Sequence, residues 1–149
     1  PQESLVSSCE WSGPSHEVKK ESDCLTCNNF RWENREIHEY KKSTDLPFKD
    51  IRRQELFSSG QSETSFDLRY FEINPGGYSS YECHGHEHVI IGVRGKGTVR
   101  KRDRDYEMGV NDIIRIPAFE PHQLKNKTAE PFGFYCIVDR KRDRPQAVS

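Results

Sequence analysis

Long hydrophobic runs are what this chain lacks most plainly. No segment approaches the roughly 20 consecutive apolar residues of a membrane-spanning helix, and the first residues carry neither the charged start nor the apolar core of a secretory signal. The expectation is a cytoplasmic protein with no membrane partner, although the sequence starts at Pro1 without a Met. A strong charge of either sign is also missing, since the formal net charge is −1. The basic cluster of Arg94, Lys96, Arg100, Lys101, Arg102 and Arg104 is interrupted by Asp103, Asp105 and Glu107, and no nucleic-acid motif accompanies it. It reads as a solvated hairpin that guards a sheet edge, with no nucleic-acid partner. No internal repeat is visible. Hydrophobic residues make up only 32% of the 149, the same share as charged ones. That length supports one domain with a real core, and that composition leaves part of the chain loosely packed.

What the chain does have is a concentration of metal-binding side chains between Gly76 and Gly95. His84, His86 and His88 fall within five residues, flanked by Glu82 and Glu87, and supply imidazole and carboxylate donors suited to Fe, Mn, Cu, Ni or Zn. The plain alternative is a solvated polar loop. On a strand, alternate side chains share a face, so residues 82, 84, 86 and 88 would point one way. Residues four apart on an unbroken strand are roughly 13 Å from each other, too far to share one ion, so the chain must bend between them. Gly85 is the natural place.

The glycines set a register. From Gly76, five residues lead to Glu82, then Cys83 and His84, three residues to His88, and six residues to Gly95. This spacing resembles the first motif of the cupin superfamily: Gly, five residues, His-x-His, three or four residues, Glu, six residues, Gly. Glu82 stands where the family has its first His and His88 where it has Glu, so the ligand types are exchanged. Reading His84 and His86 as the His-x-His pair would put the third ligand on Ile90 or Ile91, which bind no metal. The segment NDIIRIPAFEPHQLKN resembles the second motif through Pro117, His122 and Asn126, with Asn111 and Phe119 at its two glycine positions.

The resemblance covers residues 46–139 and implies an all-β fold, an antiparallel jelly-roll barrel. An irregular N-terminal extension over 1–45 would precede it and a charged tail over 140–149 would follow. It implies a metal held by Glu82, His84, His88 and His122, with Fe or Mn leading and Ni, Cu or Zn open, and a small-molecule substrate or ligand. Metallo-cupins include dioxygenases, isomerases, epimerases, decarboxylases and lyases, and the fold does not choose among them. The leading expectation is an oxidoreductase of the dioxygenase type. The alternatives are non-redox metal-assisted isomerase or lyase chemistry, with His86 moving protons, and a ligand-binding or sensing protein without turnover.

Outside the motifs, residues 1–30 show no apolar periodicity. Cys9, His16, Cys24 and Cys27 can in principle make a structural zinc site, with free thiols the simpler reading. Trp11, Phe30 and Trp32 suggest that the extension packs on the outside of the barrel or on a second subunit, and a homodimer is expected. The run 66–73 reads as a strand with Arg69, Phe71 and Ile73 on one face and Leu68, Tyr70 and Glu72 on the other. It ends in the turn-forming Asn74-Pro75-Gly76-Gly77. If the first face looks inward, Arg69 is a buried guanidinium that needs an anionic partner. With Tyr78, Tyr81, Gln123 and Tyr135 it forms the candidate substrate-binding set, for a small polar molecule with an acidic group.

Overall fold

The computed structural model describes residues 24–40, 46–142 and 146–148. Every regular element among them is a β-strand: β1 (Cys27–Asn28), β2 (Arg31–Trp32), β3 (His38–Glu39), β4 (Lys49–Phe57), β5 (Phe66–Tyr78), β6 (Glu82–Cys83), β7 (His88–Arg94), β8 (Gly97–Lys101), β9 (Arg104–Met108), β10 (Ile113–Ile116), β11 (His122–Lys125), β12 (Phe132–Asp139) and β13 (Gln146–Ala147). β1 and β2 form a separate small hairpin. The rest join in one antiparallel sheet of order β10-β7-β12-β5-β11-β6-β13, with β4 and β3 added at β5 and the β8–β9 hairpin added at β11. The chain is an all-β, antiparallel jelly-roll barrel. Among the described residues no helix is long and apolar enough to cross a membrane.

Period-two alternation decides which side chains face the interior. On β12, Phe132, Phe134, Cys136 and Val138 point into the main core, where Phe71 and Ile73 of β5, Ile90, Val99, Met108 and Ile116 meet them. The intervening Tyr135 points outward with Tyr70 and Leu68. Leu25, Phe30 and Trp32 cover that outer face, with the Trp32 ring 4.7 Å from that of Tyr70 and 5.9 Å from that of Tyr135. Where it is described, the expected extension packs on the barrel. Its Phe30 and Trp32 pack on the outer sheet face of their own chain, and its Tyr40 belongs to the main core. Trp11 lies outside the described residues.

The structure departs from the sequence expectation in one place and adds detail in two others. The turn expected at residues 74–77 does not end the strand, because β5 runs on to Tyr78. Its register against β4 slips between Ile73 and Tyr78, opposite Ile51 and Lys49, and Gly76 takes a left-handed φ of 82°. The result is a bulge that turns the strand round a barrel corner. The described residues 30–40 form two-residue strands, β2 and β3. The tail after Asp139 is held where it is described: Arg140 and Arg142 both pair with Asp67, at 2.8 and 2.6 Å, and β13 pairs with β6 beside Glu82.

Candidate metal centre

The chain does bend after β6, at Gly85 and His86, before β7 begins at His88. That bend brings His84 and His88 together. β11 places His122 directly opposite Glu82 of β6, so one ligand-bearing strand end faces the other. One nitrogen from each of His84, His88 and His122 lies within 4.8 Å of the other two.

Each ring has its Nδ1 occupied elsewhere. Nδ1 of His84 lies 2.9 Å from the His86 carbonyl oxygen, and Nδ1 of His122 lies 2.9 Å from the Glu120 carbonyl oxygen. In both pairs the ring N–H donates to the carbonyl. Nδ1 of His88 lies 2.9 Å from Cys136 Sγ, and its Nε2 is 2.7 Å from Nε2 of His84. For His84 and His122, fixing Nδ1 on a carbonyl selects the tautomer whose Nε2 lone pair is free for a metal. His88 Nδ1 instead accepts from the Cys136 thiol, and its Nε2–H donates to His84 until an ion displaces that proton. The donor set thus fits a transition-metal ion. Its protonation state fits too. Burial, then the neighbouring His122 and His86, lowers the His84 pKa to about 4. Burial, then His84 and Arg69, holds His88 well below the ordinary value. Both rings are neutral at neutral pH, the form that ligates.

Glu82 is buried and lines the same cavity, with Oε2 accepting a hydrogen bond of 2.6 Å from Ser80 Oγ. Its oxygens are not among the three converging donors. His86 is also buried in the cavity wall, stacked on His84 with ring centroids 3.8 Å apart and planes 5° from parallel. All five positions read from the sequence as ligand or catalytic residues therefore share one cavity of about 90 Å³.

The expected substrate residues divide. Arg69 does face inward and lines the cavity. Tyr78, Tyr81, Gln123 and Tyr135 do not. For Gln123 and Tyr135 the reason is alternation: they lie between His122 and Leu124, and between Phe134 and Cys136, all four of which line it. Gln123 instead donates to the Ser79 carbonyl, and the Tyr81 hydroxyl to that of Arg102. Of the expected second metal site, Cys24 and Cys27 are exposed free thiols, and Cys9 and His16 lie outside the described residues.

Tyr40, Arg53, Cys136 and Arg142 line the cavity without having been singled out as site residues. Tyr40 came from a stretch with no periodic signal. Arg53 had one, because Ile51, Arg53 and Glu55 alternate on β4, but the adjacent Arg52 blurred which arginine pointed in.

Residues 69–138 match the family model described as "Cupin domain". A "1-methylthio-D-xylulose 5-phosphate methylsulfurylase" from Rhodospirillum rubrum is 35% identical over 80% of this chain and 75% of its own length. A cupin 2 conserved barrel domain protein from Rhodopseudomonas palustris is 31% identical, with a TM-score of 0.76 over 85% of this chain and 86% of that one. A cupin 2 domain-containing protein from Halorhodospira halophila is 37% identical, with a TM-score of 0.65 over 84% of this chain and 81% of that one. A His-lined barrel, the two motifs in register and these likenesses lead to one conclusion: the chain belongs to the cupin family.

Proposed function

We propose that this cupin is an enzyme in which His84, His88 and His122, with Glu82 as a fourth ligand, hold a divalent transition metal that binds a small, oxygen-rich, anionic substrate. The observation that carries this reading is the convergence of three ring nitrogens, each ring oriented through its other nitrogen, inside a cavity that also holds a carboxylate and several arginines. When bound, the ion supplies Lewis acidity to a carbonyl or enediol of the substrate. Around it, the Tyr40 hydroxyl lies 3.2 Å from Ser80 Oγ, which donates to Glu82. That chain of hydroxyls orients the carboxylate. His86, packed flat on His84, is the side chain placed to hold a proton at a substrate oxygen. The apolar wall of Ile51, Phe71, Ile90 and Phe134 limits bulk water.

Non-redox chemistry on a phosphorylated keto sugar is the preferred form of this proposal, because the curated relative is named for such a substrate. The dioxygenase-type reading stands second, supported by a three-histidine set that leaves positions open for dioxygen. Metal-stripped protein reloaded separately with Mn, Fe and Zn tests both. Turnover of 1-methylthio-D-xylulose 5-phosphate without oxygen supports the first reading. Oxygen uptake that requires Fe supports the second, and no turnover of any phosphosugar or oxidisable small acid rejects both. A homodimer is also proposed, on the exposed apolar side chains of Val110, Ile113 and Phe119 near the edge strand β10. A monomer in sedimentation at micromolar concentration would reject it.

A further inference from the structure

Arg53 and Arg69 lie on the inward faces of the paired strands β4 and β5. Arg53 stands opposite Phe71 and Arg69 opposite Glu55, and on its other side Arg69 stands opposite Cys136. Both line the cavity that holds the histidines, and in both the Nε is buried without a hydrogen-bond partner. Their other contacts are weak for half-buried cations. Arg69 Nη2 reaches Cys136 Sγ at 3.5 Å, and its guanidinium lies 4.9 Å from the centre of the Phe71 ring. Arg53 approaches a carboxylate only at 3.9 Å, from Nη2 to Glu55 Oε1. Arg142, the third arginine of the cavity wall, is by contrast engaged, at 2.6 Å by Asp67 and at 2.9 Å by the Asp139 carbonyl. One other orphaned nitrogen, Arg35 Nη2, belongs to a side chain that lies over Phe57 and is tied to the Leu56 carbonyl.

A buried guanidinium without a carboxylate weakens the folded state, and a polar group left unsatisfied in a binding cavity is completed by its ligand. Two such forks on adjacent strands present two positive charges and several N–H groups to one volume. A carboxylate would neutralise one of them; a phosphoryl dianion neutralises both and accepts from each. The site also lies close to the ligands, because Cys136 Sγ touches Arg69 on one side and His88 Nδ1 on the other.

We propose that Arg53 and Arg69 form a phosphoryl subsite that anchors one end of the substrate while its other end faces His84, His88 and His122. Only the placement of the reacting end rests on the metal-centre reading. The test titrates inorganic phosphate into the full chain, metal-loaded and metal-free, for the wild type, Arg53→Met, Arg69→Met and the corresponding Lys variants. Calorimetry gives affinity, thermal melting gives stability, and metal content is measured in every sample. Phosphate should bind metal-free wild type, and each Met variant should lose about tenfold or more in affinity, the worth of a charge-assisted hydrogen bond. Without phosphate the Met variants should melt no lower than wild type, since a half-buried charge with only weak partners has been removed. Unchanged affinity in both Met variants would overturn the subsite. So would phosphate binding that vanishes when metal is removed, which puts the anion on the ion, and so would Met variants that melt lower and recover as Lys, which makes the arginines structural. Failure of the metal reading shows separately, as protein that takes up no metal while its arginine-dependent phosphate binding persists.

Discussion

On the outward face of β5 and β12, Tyr70 and Tyr135 are covered by Trp32, and the Tyr70 hydroxyl donates to Glu72, which Arg52 and Arg94 also hold. On the inward face of the same strands, one residue along in each, Arg69 keeps an unpartnered nitrogen and Cys136 joins it to His88. Alternation therefore puts the aromatic cover and the histidine-lined cavity on opposite sides of a single pair of strands. The charged groups of the outer face find partners within the chain, as Glu72 does with Arg52 and Arg94. The inner face collects neutral histidines and incompletely paired arginines.

The sharpest way to separate the two faces is to remove a ligand. Ala at His84, His88 or His122 should lower metal affinity by more than about 100-fold, beyond what loss of an outer-shell partner costs, and elemental analysis of purified protein reads this directly. Glu82→Ala should weaken retention, and His86→Ala should leave it near wild type. The reverse pattern would replace Glu82 by His86 in the ligand set. Next in size, Trp32→Ala on the outer face should cost about 3 kcal/mol in denaturant unfolding, the usual effect of truncating a buried aromatic, with metal content per folded molecule unchanged.

Acid probes the seam between the faces, where Asp67 binds Arg140 and Arg142. Burial acts to raise the Asp67 pKa, but hydrogen bonds from the two arginines outweigh it and hold it below 3.8. In the unfolded chain the carboxyl takes up its proton near that ordinary value, whereas in the folded chain it does so at lower pH. The stabilisation is therefore present above 3.8 and is lost as pH falls through the folded value. Unfolding curves at descending pH should show a loss in wild type that Asp67→Asn lacks. The smallest effect is a gain. Phe119, 65% exposed in the single chain, holds a left-handed φ of 63°, and Phe119→Gly should stabilise the monomer by about 1 kcal/mol in the same assay run at protein concentrations where no dimer forms.

Phe119 also shows how the sequence conveyed the fold. The second motif has glycines where this chain has Asn111 and Phe119, and both residues adopt positive φ, 71° and 63°. The backbone path survived a change of letters because the strands around it fix the turn, so spacing was a better guide than identity. His84, His88 and His122 were legible for the same reason: their positions follow from register. Asn126, read only as a motif letter, is buried and donates to the carbonyls of Ile73 and Glu130, pinning the β5 corner. What stayed illegible depends on contacts between distant segments. Nothing local to Tyr40 announces that its hydroxyl reaches Ser80, 40 residues away. The tyrosines at 78, 81 and 135 drew notice as polar groups near the motifs, where nearness in sequence outweighed the side to which each one points.

The three anchors of the histidine rings differ in how far along the chain they reach. His84 and His122 are oriented by carbonyls two residues away, whereas the Cys136 partner of His88 is 48 residues distant. Two rings can be preset by short loops that close early and at little entropic cost, but the third waits until β12 has docked between β5 and β7. The complete trio of oriented histidines is thus a late product of folding, available only to a chain whose barrel has already shut. A metal ion captured by all three rings would bind the finished barrel in preference to any partly assembled form, and would slow its reopening.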